Sequence, residues 1–145
     1  MKRMLLTGFL MLLPLAGQAE TSLFEDLGGR TTISAFTSDL VGRLKNDPRI
    51  GHFFAETDLD RLHDRLTDMF CHVAGEKKRY RGANMMRAHE GLGIRDADFD
   101  KLVEDLEAAM DDSHVPWGTQ TRFLAKLAAL KRNVVDGVDG PPISP

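Results

Sequence analysis

The chain has 145 residues, with 19 Lys and Arg against 22 Asp and Glu, a formal net charge of −3 and a single Cys. That length suits one domain with a core of its own. The slight acidity gives no electrostatic footprint for nucleic acid, and one Cys excludes an internal disulfide framework.

The N-terminus differs in kind from the rest. Lys2 and Arg3 form a short positive head, Met4 to Leu13 is almost wholly apolar, and Pro14 breaks any helix. Gly17-Gln18-Ala19 then offers the small residues a signal peptidase needs. This pattern predicts a secretory signal peptide over residues 1–19, cleaved after Ala19, and hence a periplasmic or secreted protein. The apolar run is much shorter than the ~20 residues a spanning helix needs, so no membrane span is expected after cleavage.

From Ser22 to Val135 apolar residues recur at helical rather than strand spacing, which predicts an all-α domain over 20–135. Ser22 is placed to cap a short first helix that Gly28-Gly29 ends, and Thr31 or Thr32 to cap the second. Ile33, Phe36, Leu40, Val41 and Leu44 line one side of that second helix. Asp47-Pro48 breaks it, and a short helical turn delivers Phe53-Phe54. Asp58 or Asp60 starts a third long pattern with Leu59, Leu62, Leu66, Met69, Phe70 and Val73 as its stripe. Gly75 to Gly82 is polar and basic and reads as a loop. A brief helix runs from Asn84 to about Glu90, stopped by Gly91 and Gly93. Asp96 or Asp98 caps a long helix, and Val115-Pro116 starts the last, which carries Phe123, Leu124, Leu127, Leu130 and Val134. The count is six or seven helices, followed by a Gly- and Pro-rich tail over 136–145 that reads as disordered.

The sequence contains no phosphate-binding loop, no nucleophile elbow and no His pair at i, i+4. Of its five His, His52, His72 and His114 read as surface or boundary residues. His63 lies about 70° from the centre of its helix's apolar stripe, His72 about 110° and Cys71 about 150°, which predicts an exposed thiol. His89 stands apart by context. It follows Met85 by four residues on a short helix, and no second metal ligand lies nearby. That spacing is compatible with an ordinary half-buried histidine. It also suits a haem, which brings four in-plane nitrogens and needs one axial ligand from the protein.

Five segments, in order, carry a family resemblance: Leu23-Phe24-Glu25-Asp26-Leu27-Gly28-Gly29; Asp47-Pro48-Arg49-Ile50-Gly51-His52-Phe53-Phe54; Met85-Met86-Arg87-Ala88-His89-Glu90-Gly91-Leu92-Gly93-Ile94; Asp98-Phe99; and His114-Val115-Pro116. Together they resemble the successive landmarks of a group I truncated haemoglobin. The resemblance implies a two-over-two helical sandwich around haem b, with His89 as the proximal iron ligand. It implies Phe54 packed on the porphyrin, with Met85, Phe70 and Ile94 lining the pocket. Gly28-Gly29 and Gly82 would be the bends that let a shortened globin fold close.

The sequence departs from that family on the side where gas binds. The family commonly places a Tyr on the second helix and Gln residues on the distal helix; here the matching positions are Val41, Leu62 and Leu66. These residues imply an unusually apolar distal pocket without a side-chain donor. A hydrogen bond to a charged group contributes about 1.5–3 kcal/mol, so its loss implies roughly 10- to 100-fold weaker retention of dioxygen relative to CO or NO. Whether His63 or Arg65 enters the pocket is left open, with Arg65 expected to point outward. The doubled Gly after the distal helix is altered to Gly75-Glu76, and the basic run Lys77 to Arg81 reads as a solvated loop or as a partner for haem propionates.

The expected function is reversible binding of a diatomic gas (O2, CO or NO), as in oxygen binding or transport, at a ferrous haem. The alternatives are a haem-free globin-fold interaction module and a haem enzyme consuming NO or peroxide. The enzyme needs an unidentified reductase and a distal proton donor, so a ligand-binding protein is preferred to a catalyst.

Overall fold

A computed structural model of the chain describes residues 21–135. The signal peptide and the tail read from the sequence lie outside those residues. The described chain forms α1 (Leu23–Asp26), α2 (Gly29–Asn46), a 3₁₀ helix (Gly51–Phe54), α3 (Leu59–Ala74), α4 (Met85–His89), α5 (Asp96–Asp112), α6 (Trp117–Ala128) and α7 (Lys131–Val134). Among the described residues there is no strand, and no helix is long and apolar enough to cross a membrane.

Local chemistry accounts for most of these limits. Ser22 Oγ accepts from the Glu25 amide at 3.3 Å while the Glu25 carboxylate accepts from the Ser22 amide at 3.0 Å, a reciprocal capping box. The backbone bond from Ser22 holds the Glu25 carboxyl below its ordinary range. Gly28 has φ 85°, and a Cβ there would strike the Thr32 side chain. That left-handed residue turns α1 directly into α2, so α2 begins at Gly29 and Thr31 and Thr32 lie inside it rather than at its cap. Asp47 ends α2, and its Oδ1 accepts from the amides of Arg49 (2.7 Å) and Ile50 (3.1 Å). Asp58 caps α3 by accepting from the Arg61 amide at 3.0 Å. At α5 the cap position is Arg95, and Asp98 contributes from inside the first turn by accepting from the Arg95 amide at 3.0 Å.

Two pairs of long helices form the sandwich. α2 packs on α3, α5 packs on α6, and the pairs meet through α2 on α5 and α3 on α6. Where they meet, Phe36, Phe70 and Phe123 form an aromatic cluster with ring centroids 5.4 to 6.2 Å apart, Phe70 and Phe123 edge to face. Ile33, Leu40, Leu44, Leu106 and Met110 complete a fully enclosed core. The single last helix expected from the sequence is broken. Leu130 N–H bonds back to Leu127 O and Asn133 N–H to Leu130 O, both at 2.9 Å, tightening the chain into a bend between α6 and α7. The bend brings α7 against α4.

Candidate functional site

The layers leave an apolar cavity of about 470 Å³, within the range of small-molecule and cofactor sites. Leu40 and Leu44 of α2, Phe53 and Phe54 of the 3₁₀ helix, and Leu62, Leu66, Met69 and Phe70 of α3 form one side. Met85, Ala88 and His89 of α4, with Ile94, Phe99, Leu102 and Val103 of α5, and Leu130 and Val134 near the C-terminal bend, also line the cavity, and Thr57, Tyr80 and Asp98 add polar groups. Arg61 and Arg65, both exposed, stand at its edge.

His89 is the one imidazole on this wall. Asn84 caps α4 by accepting from the Met86 amide at 3.0 Å, which sets the short helix's direction. One turn on, the His89 ring donates from Nδ1 to the Met85 carbonyl at 2.6 Å. A carbonyl only accepts, so a proton is assigned to Nδ1, which leaves Nε2 as the ring nitrogen available to a metal. This is the arrangement that orients and strengthens a metal-binding imidazole. No group of three or more His, Cys, Asp or Glu among the described residues could cage a bare ion. A single oriented imidazole in a mostly apolar cavity, with exposed guanidinium groups in its lining, fits a planar cofactor that carries its own in-plane donors and peripheral carboxylates.

Comparison with known proteins bears on the same residues. Residues 22–136 match the family described as bacterial-like globin. The group 1 truncated hemoglobin of Tetrahymena pyriformis is 31% identical over 91 residues, covering 63% of this chain and 75% of that one. The group 1 truncated hemoglobin GlbN of a Synechocystis species is 30% identical over 122 residues, covering 80% and 98%. The chain belongs to the group I truncated haemoglobins. The crystal structure of the Tetrahymena pyriformis protein in its Fe(III) form superposes with a TM-score of 0.76 at 25% identity, covering 79% of this globin and 98% of that chain. The 2/2 hemoglobin of a Synechococcus species, in a cyanomet state with covalently attached heme, shares the fold at a TM-score of 0.74 and 24% identity.

Of the residues singled out in the sequence, Phe54, Leu62, Leu66, Phe70, Met85, His89 and Ile94 come together on the cavity wall of this globin. Val41 does not. It is buried, but the cavity is lined by its helix neighbours Leu40 and Leu44; α2 packs on both α3 and α5, so a buried residue on it need not face the cavity. His63 is held away, its Nε2 3.1 Å from Ser34 O and its Nδ1 3.2 Å from Asp64 Oδ1. Arg65 stays solvent-exposed as expected, yet lies on the cavity's edge.

Cys71 reverses its expectation: it is fully buried, and burial pushes its thiol up to about 11. α3 contacts α1, α2 and α6, so a helix wheel with one buried stripe misplaces a residue on its second buried side. Glu76, standing where the family has a second Gly, makes a paired contact with Arg30 at 2.7 and 3.2 Å. Tyr80 was not singled out, although a lone aromatic in a charged loop was a usable signal. It lines the cavity and stacks on His72, ring centroids 5.2 Å apart, and burial raises its phenol so that it stays a donor.

Proposed function

We propose that this globin binds haem b in the apolar cavity, with His89 Nε2 as the proximal ligand, and there takes up a diatomic gas reversibly. The observation that carries the reading is the His89 ring, fixed by its Nδ1–H bond to Met85 and lining a cavity whose other side chains are mostly apolar. When bound, the haem would supply an iron that takes up a small gas. The protein's own contribution is positioning and exclusion. Phe53, Phe54, Ile94 and Leu102 keep water from the cavity, and Met85 O holds the imidazole in one tautomer. Arg61 and Arg65, exposed side chains of the lining, would pair with the cofactor's carboxylates. Leu62 and Leu66 provide no hydrogen-bond donor, so these positions favour CO and NO over dioxygen relative to a pocket with Gln there, with the Tyr80 phenol as a donor elsewhere on the cavity wall.

The absorbance spectrum of the purified protein tests the reading. A Soret band that shifts on adding CO to the reduced protein supports it. A colourless protein that does not take up added haemin returns the chain to a haem-free interaction module. We further propose export to the periplasm or medium, on the strength of the pattern at residues 1–19. Mass spectrometry of the native protein should find Glu20 as its first residue; an intact Met1 in the exported fraction excludes cleavage there.

A further inference from the structure

Outside the apolar cavity lies a second concavity of about 530 Å³, built from the loop after α3 and its neighbours. Its charge is opposite to that of the chain, which is net −3. Arg30, Lys78, Arg79 and Arg81 line it, against two carboxylates, Asp68 and Glu76. Both carboxylates are taken up by Arg30, each at 2.7 Å. Lys78, Arg79 and Arg81 form no ion pair with any carboxylate among the described residues.

The concavity also has a fixed wall. Tyr80 stacks on the His72 ring at 19° between planes, and it packs so closely on Gly82 that a Cβ there would strike its ring and hydroxyl. Three free cations around one phenol donor, in a pocket rather than on a convex surface, concentrate positive field in a small volume. Guanidinium groups match the oxygens of phosphate and carboxylate two at a time.

We propose that this pocket is a binding site for a small anion carrying two or more negative charges, separate from the apolar cavity except for their common wall at Tyr80. Its size suits a small molecule better than an acidic protein, which needs a patch of about 800 Å². The cations of the loop then serve a ligand of their own.

The test is isothermal titration of the full purified protein with inorganic pyrophosphate at low salt, before and after loading with haemin, with citrate as a second titrant. The expected result is saturable one-to-one binding in both forms, weakened roughly 10-fold or more in Arg79→Gln with Arg81→Gln. Circular dichroism checks that this exposed double variant remains folded. Binding by pyrophosphate alone assigns the site to phosphates, and binding by citrate alone to carboxylates. Three results overturn the proposal: no saturable binding, binding unchanged in the variant, or binding lost on haemin loading. The last would mean that the cations serve the cofactor's own carboxylates. A protein that takes up no haemin yet binds pyrophosphate would end the haem reading and leave the anion site standing.

Discussion

Leu62 and Leu66 sit on α3, a helix of 16 residues that packs on α1, α2 and α6, whereas His89 sits on α4, a helix of 5 residues with none buried. One wall of the cavity is therefore held by the core, and the other by a short segment that leans on α7. A helix as short as α4 has almost no stability in isolation, because it barely exceeds the nucleus that helix formation must first build. The difference teaches where a cofactor matters to the fold. The wall that α3 contributes is held by its packing on α1, α2 and α6. The wall that carries His89 rests on α7 and would gain a further anchor from the proposed haem.

The change that breaks this contrast most completely is His89→Ala. It removes the only protein ligand assigned to the iron and should abolish stable haem binding while leaving the far-UV dichroism of a helical protein. Wild-type haem content and spectrum in the variant would show that the anchor is elsewhere. A smaller effect is expected on the opposite wall. Leu66→Gln places a donor on the lined face of α3, and dioxygen release by stopped flow should slow roughly 10- to 100-fold, with CO release changed far less. Leu66 is the informative position because Val41, its expected partner on α2, does not line the cavity. If wild-type release is already as slow as the variant's, another donor is present, and Tyr80 and Arg65 on the wall are the first to replace.

Gly82→Ala probes the junction between the two walls. The added Cβ collides with Tyr80, so the ring must leave its stack on His72, at a cost of about 1–3 kcal/mol in denaturant unfolding. An unchanged midpoint would mean that the loop gives way freely. The smallest effect is expected from Arg30→Gln. Arg30 ties α2 to Asp68 of α3 and to Glu76, but its side chain is 37% exposed, and solvent-screened pairs contribute about 0–1 kcal/mol. A loss well beyond that would show that the distal wall depends on charge as well as packing.

Much of this was legible in the chain itself. Ser22, Asp58 and Asn84 cap the helices they precede in the sequence, since an N-cap acts within three residues and needs nothing distant. Asp47-Pro48 and Gly75 end helices for equally local reasons. The apolar stripe of α3 put Leu62, Leu66 and Phe70 on one face, and the spacing of Met85 and His89 put carbonyl and imidazole one turn apart.

What the sequence left open depends on which faces meet. Cys71 looked exposed because a periodic stripe marks one buried side, and only the packing of α3 between its neighbours reveals the second. The choice of Leu40 and Leu44 over Val41 rests on how α2 divides its surface between α5 and the cavity, an angle that no repeat in α2 encodes. Ala128 and Ala129 favour helix, yet the chain bends there to bring α7 onto α4. Local propensity at that point is a weak preference that the packing of α7 on α4 overrides. Helix positions, caps and the candidate ligand were determined by interactions within a few residues. The lining of the cavity, the burial of Cys71 and the junction at Tyr80 were decided by contacts between segments far apart in the chain, which exist only once the layers have packed.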